Sequence, residues 1–220
     1  MGGIALVHGA WIDSSCWSLV AAPLRDRGHR VALAELHRGT LAADTRAAQE
    51  VVDGLGGPVV VCGWSYSGMV ITGLELPPGS HLVYLCAFMP DEGESATLLN
   101  LRHPGDVMTV VQADDAGDTF LAGDEIDELV WADAPPDLAG AARASLRSQA
   151  LQTMLDTPAR VAWRDTPSTY VITRQDRTMD TELQREMARR AKHVVEWDTS
   201  HSPVLSRPDL VVDLLDSLAS

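Results

Sequence analysis

The chain has 220 residues, 45% of them hydrophobic and 22% charged, and a formal net charge of −14. That length fits one globular domain with a small appended lobe, and the composition excludes intrinsic disorder. The negative charge repels nucleic acid and anionic membranes, so neither is expected as a partner. Cys16, Cys62 and Cys86 are odd in number and lack metal-ligand spacing, so neither a disulfide framework nor a metal is expected. The chain runs directly into Ile4-Ala5-Leu6-Val7 without the basic and long apolar stretches of a secretory leader. No run approaches the ~18 apolar residues of a membrane span. A cytoplasmic, reducing location is the expectation.

Short apolar runs alternate with helical patterns along the chain. Ile4 to Val7, Val31 to Ala34, Val59 to Cys62, Leu82 to Cys86, Tyr170 to Thr173 and Val194 to Trp197 are each too short for a helix. Their near-continuous β-branched and aromatic content suits strands buried on both faces. The expected fold class is therefore α/β, a mostly parallel sheet of about six strands with helices on both faces. Thr181 to Ala191 brings Leu183, Met187 and Ala191 onto one face and predicts an amphipathic helix. Ser206-Arg207-Pro208-Asp209 reads as a capping box opening a final helix with Leu210, Leu214 and Leu218 at helical spacing.

Residues 91–165 are far too long for an ordinary connection. Ile126, Leu129 and Val130 repeat helically, as do Leu138, Ala142 and Leu146, with Pro135-Pro136 marking a turn between them. This predicts a helical lid at 91–165 inserted into a core formed by 1–90 and 166–220. The acidic stretch Asp114 to Asp118 reads as a solvated loop within it.

The sharpest chemical signal is Val59-Val60-Val61-Cys62-Gly63-Trp64-Ser65-Tyr66-Ser67-Gly68, a buried strand followed by small-x-Ser-x-small and a helix start. A turn this tight needs small residues two before and two after the serine, whose hydroxyl then projects from the sheet edge. Gly and Ser after a strand are also plain turn residues, but motif and context together assign Ser65 as nucleophile, with Ser67 a poor substitute inside the first helical turn. Ser rather than Asp at position 65 argues against dehalogenation. The Tyr66 amide, at the positive end of the helix, points to where an oxyanion forms. His8-Gly9-Ala10-Trp11 follows the first strand, and the Ala10 amide is a second oxyanion donor. His8 itself reads as a residue that organises its loop.

A serine nucleophile needs a base and an orienting acid. His201 lies between the last strand and the final helix, where a loop can hang a base over the sheet edge. His193 opens the preceding strand at the opposite edge, and His29, His37, His81 and His103 read as surface or loop residues. Asp176 follows the strand ending at Thr173, and Ser65, Asp176 and His201 keep the order Ser, Asp, His. Asp165 and Asp180 are alternatives for the acid. Trp11, Trp64, Phe88, Met89 and Trp131, with Phe120 and Met154, are candidate walls of a substrate pocket; residues of these types more often simply fill a core.

These residues resemble the α/β-hydrolase superfamily, and within it the small-lidded branch of plant methylesterases, hydroxynitrile lyases and bacterial esterase-like proteins. The resemblance covers nearly the whole chain. Val7-His8-Gly9-Ala10-Trp11 with Trp17, Gly28-His29-Arg30-Val31, and Gly63-Trp64-Ser65-Tyr66-Ser67-Gly68 carry it in the first half. Ala87-Phe88-Met89-Pro90, Tyr170 to Asp176, His201-Ser202-Pro203 and Ser206-Arg207-Pro208 carry it in the second. The resemblance implies an α/β-hydrolase fold, Ser65, Asp176 and His201 as a triad, and the Ala10 and Tyr66 amides as an oxyanion hole. Trp64 replaces the histidine usual before the nucleophile, and Ser67 replaces the usual glycine. The lyases' lysine beside the catalytic histidine is Ser202 here, which disfavours cyanohydrin cleavage.

Three readings follow. The first is a serine hydrolase of a small ester or thioester, working through an acyl-Ser65 intermediate without cofactor. The second is an acyltransferase fed by an acyl carrier protein, for which Arg143, Arg147, Arg160 and Arg164 in or near the lid would form a docking patch. The third is a non-catalytic ligand-binding member of the fold.

Overall fold

The computed structural model describes residues 2–37 and 39–220. Six strands form one sheet: β1 (Gly3–Val7), β2 (Arg30–Ala34), β3 (Val59–Trp64), β4 (His81–Leu85), β8 (Ser168–Thr173) and β9 (His193–Trp197). Their order is β2-β1-β3-β4-β8-β9, and every neighbouring pair is parallel. The predicted six-stranded parallel sheet is the observed one.

Alternation along each strand divides the core in two. Ala5, Val7, Val59, Val61, Tyr84 and Ile172 face one layer, packed against α2 (Leu41–Leu55), α3 (Ser67–Thr72) and α8 (Thr181–Ala188). Ile4, Leu6, Val60, Cys62, Val83 and Val171 face the other, covered by α1 (Ser18–Asp26) and α10 (Pro208–Ala219). Both faces of the central strands are dry, which is why their sequences read as unbroken apolar runs. Strand order reverses between β1 and β3, and the carboxyl ends flanking such a reversal leave a crevice where α/β sheets bind ligands.

The segment 91–165 corrects the expectation of a purely helical lid. It contains α4 (Ala96–Asn100), α5 (Ile126–Val130), α6 (Pro136–Ala144) and α7 (Gln152–Leu155). It also contains an antiparallel sheet, β5 (Val111–Ala113), β6 (Asp118–Leu121) and β7 (Gln149–Ala150), in the order β5-β6-β7. Strands of two to four residues are too short for a period-two signal to emerge from sequence. Asp114 to Asp118 form the turn of the β5–β6 hairpin, with Gly117 at φ 86° and its amide bonded to the Asp114 carbonyl.

One further expectation is corrected. The capping box does not form: Ser206 ends the short α9 (Pro203–Ser206), and its hydroxyl donates back to the Ser202 carbonyl. Arg207 occupies the cap position of α10 without a capping side-chain bond and pairs with Asp209 instead. His29 lies in the loop before β2, as expected of a surface or loop residue, and is buried there with Nε2 2.7 Å from Asp216 of α10.

Candidate active site

Ser65 sits immediately after β3 with φ 59°, a left-handed conformation costly for a residue with a Cβ and held by its surroundings. Its amide donates to the Leu85 carbonyl, and its own carbonyl accepts from the Gly68 and Phe88 amides. Gly63 has no room for a side chain: a Cβ there would lie 2.9 Å from Ile71 Cδ1 and 3.0 Å from the Ser67 carbonyl. The serine at 67 fits, because its buried hydroxyl lies 2.8 Å from the Val7 carbonyl and 2.9 Å from that of Trp64. The stricter demand for smallness falls on Gly68, where a Cβ would meet the Phe88 carbonyl at 1.8 Å.

His201 and Asp176 meet from separate loops. His201 Nδ1 lies 2.6 Å from Asp176 Oδ2 with both side chains buried. Nε2 is left without a protein partner among the described residues. Asp176 Oδ1 accepts from the Thr178 and Met179 amides, and Oδ2 also accepts from Thr173 Oγ1 and Gln184 Nε2. Five donors surround one carboxylate and fix its orientation toward His201. The alternatives Asp165 and Asp180 sit elsewhere: Asp180 caps α8, accepting from the Glu182 and Leu183 amides, and Asp165 ends the short turn Ala162–Arg164.

A cavity of about 20 Å³ joins these residues, lined by Gly9, Ala10, Trp11, Trp64, Ser65, Trp131 and His201 among others. Ala10 thus reaches the same space as Ser65, and neither its amide nor that of Tyr66 donates to a protein acceptor among the described residues. The Tyr66 side chain turns away into the core and donates to Asp44 Oδ2 at 2.9 Å, leaving only its main chain for the site. His8 organises its loop: Nδ1 lies 2.9 Å from the Gly9 carbonyl and Nε2 accepts from the Leu36 amide. Burial, reinforced by neighbouring His37, pushes its pKa down to about 4.

Of the expected pocket walls, Trp11, Trp64 and Trp131 line the cavity, whereas Phe88 and Met89 do not. Both are buried in the core layer under α3 and α8, where Phe88 is held against Gly68 and the Met89 amide meets Met187 Sδ at 3.2 Å. Phe120 is likewise displaced: Thr119 and Leu121 point toward the cavities, so period two sends Phe120 to the opposite face of β6. Met154 lines a second space on the lid side of Trp11.

Sequence reasoning missed the contacts that tie the site together. Trp64 Nε1 donates to the His201 carbonyl at 2.8 Å, and Cys86 Sγ lies 3.2 Å from the same oxygen. Asp133 accepts from the Ser200 amide at 2.9 Å and from the Ser200 hydroxyl. Ser202 Oγ donates to the Val130 carbonyl, and Thr178 Oγ1 to that of Leu129. The α5 region therefore grips the loops that carry Asp176 and His201. No local pattern announces such contacts between residues far apart in the chain. Ligand atoms of Cys86, Asp176 and His201 lie within 4.8 Å of one another. This is a poor metal site, because burial drives the thiol pKa well up and the other two groups already bond each other.

This arrangement can deprotonate a hydroxyl and stabilise an oxyanion, the chemistry of acyl transfer. The family model for the alpha/beta hydrolase family matches residues 4–214. The chain is 32% identical over 179 residues to an alpha/beta hydrolase of Aspergillus novofumigatus, covering 74% of this chain and 71% of that one. It is 38% identical over 120 residues to a carbendazim hydrolyzing esterase of a Nocardioides species, covering 45% and 47% of the two chains. A pyrethroid hydrolase from Sphingobium faniae superposes with a TM-score of 0.83 at 21% identity over 99% of this chain and 97% of that one. The chain belongs to the alpha/beta hydrolase family. Among the described residues, no helix is long and apolar enough to cross a membrane.

Proposed function

We propose that this protein is a serine-dependent esterase that cleaves an uncharged ester through an acyl-Ser65 intermediate. The observation that carries the reading is the Asp176–His201 pair, 2.6 Å apart, with its second ring nitrogen unpartnered at the cavity that Ser65 also lines. In this mechanism His201 takes the Ser65 proton as the hydroxyl oxygen attacks the ester carbonyl. The Ala10 and Tyr66 amides hold the negative oxygen of the tetrahedral intermediate. His201 then gives the proton to the departing alcohol. Water, deprotonated by His201, attacks the acyl-Ser65 carbonyl, and His201 returns that proton to Ser65 Oγ as the acid leaves. Asp176 keeps the Nδ1 proton in place and stabilises the imidazolium that forms.

The lid arginines lend no support to a carrier-fed transferase. Arg143 pairs with Asp127, Arg147 with Asp13, Arg160 with Glu75, and Arg164 with Asp91 and Glu92. Neutralised in this way, they form no positive patch for an acidic carrier protein. The intact set of groups around Ser65 likewise exceeds what a passive ligand-binding protein needs.

Intact-protein mass spectrometry of the wild type and Ser65→Ala with activated acyl esters tests the reading. An acyl increment confined to the wild type, with release of free acid, is expected. An increment that persists until an amine or alcohol is added identifies a transferase. Absence of any increment in folded wild-type protein overturns acyl-enzyme chemistry.

A further inference from the structure

The Ser65 cavity has a volume of about 20 Å³. That is room for about one water, whereas sites for small organic ligands run to roughly 300–1,000 Å³. Trp11 also lines a second concavity, of about 280 Å³. Leu101, Met108, Val111, Leu151 and Met154 supply its apolar wall, and none of its lining side chains is ionisable. Leu101, Met108 and Leu151 are 71%, 48% and 41% exposed, an apolar lip open to solvent. Clustered exposure of this kind marks a binding surface more often than single exposed leucines do.

Trp11 belongs to both spaces and is their common wall. Its backbone is left-handed, with φ 58°, and its carbonyl is fixed by the Arg147 amide at 2.9 Å. The indole ring is held by one polar contact, Nε1 donating to Thr119 Oγ1 at 3.0 Å. Rotation of this side chain costs that one hydrogen bond and leaves in place the main chain that carries Ala10.

We infer that the concavity beyond Trp11 binds the apolar limb of the substrate, an uncharged ester bearing an extended alkyl or aryl-alkyl group, and that the Trp11 indole gates its passage to Ser65. The inference rests on the acyl-Ser65 reading and names its substrate class. Three observations carry it: the shared wall, the Ser65 cavity too small for any ester, and the adjoining space large enough for a limb. The absence of ionisable groups from the lining selects a neutral limb, since a charge buried there would be unpaired. A net charge of −14 further disfavours anionic amphiphiles.

The test pairs hydrolysis with direct binding. For straight-chain esters from acetyl to decanoyl, kcat/KM should rise by about fourfold per added methylene until the concavity is filled. Met108→Glu puts a carboxylate on the exposed lip, where folding is not at stake, and should lower the decanoyl-to-acetyl ratio of kcat/KM by at least about tenfold. Titration calorimetry of Ser65→Ala with 1-decanol should show saturable binding that Ser65→Ala/Met108→Glu loses. A flat chain-length series with acylation of Ser65 intact overturns the inference and leaves the esterase reading standing. Decanol binding without acylation of the wild type by any ester overturns the esterase reading instead. Failure of decanol to bind overturns the inference, and a wild-type dimer that Met108→Glu dissociates would then identify the lip as a contact between copies.

Discussion

The indole nitrogen of Trp64 donates to the main-chain carbonyl of His201 at 2.8 Å, joining the residue before Ser65 to the imidazole-bearing loop across 137 positions of sequence. The two rings lie 5.7 Å apart at their centroids, tilted by 40°. An arrangement at one end of β3 thereby holds the main chain from which the imidazole projects.

Trp64→Phe keeps the aromatic packing and removes that donor. The His201 carbonyl then retains only the weak Cys86 thiol contact. Expected is a loss of about 1–2 kcal/mol in unfolding free energy. A fall in kcat of about tenfold with little change in KM should accompany it, because ground-state binding does not use this bond. Denaturant melts and steady-state kinetics check both.

Asp176→Asn should be far more damaging. Every one of the five groups facing this carboxylate is a donor, so an amide NH₂ must confront at least one of them. If it turns toward His201, the imidazole takes the wrong tautomer. A fall of about 10⁴-fold in kcat is expected. Stability should drop as well, by about 2 kcal/mol or more, through a buried donor left unpaired.

Two glycine substitutions separate close packing from ordinary helix propensity. Gly68→Ala sets a Cβ 1.8 Å from the Phe88 carbonyl, and the chain that must move also carries the hydrogen bonds to the Ser65 carbonyl. Destabilisation of about 3 kcal/mol or more and loss of acylation are expected. Gly140→Ala, in α6 with nothing within 4 Å, should instead be neutral or stabilising by up to about 1 kcal/mol. Thermal melts of the pair decide.

Stability should fall as the medium is acidified from about pH 6.5 to 4. The Leu36 amide donates to His8 Nε2, so the buried ring must remain neutral in the fold while it protonates freely in the unfolded chain. A folded pKa of about 4 against 6.5 means that the contribution is complete above 6.5 and lost progressively below it. The total is about 3 kcal/mol for a shift of this size. Glu94 contributes in a lower window: burial opposes its ionisation, but Arg190, the Asp91 amide and Arg102 hold it at about 2, so its share is lost below about 4.5. His8→Gln should flatten the dependence of the melting temperature between pH 6.5 and 4 while leaving the lower window.

The sequence by itself determined the parts of this protein whose physics is local. Six strands buried on both faces show as unbroken Val, Ile and Tyr runs, and the six predicted strands are those observed in the sheet. The turn at Ser65 shows because so tight a bend needs particular residues within two or three positions. Asp176 and His201 were legible only through their order and their places after strands, and their 2.6 Å contact is a fact of the folded chain. What tertiary structure alone decided lies between distant segments: the Trp64–His201 bond, the grip of Asp133 on Ser200, the small lid sheet, and the diversion of Phe88 and Met89 into the core. Side chains of one type can fill a core or line a cavity equally well. Which they do is settled by how the layers pack, a non-local balance of volume and hydrogen bonding that no window of sequence contains.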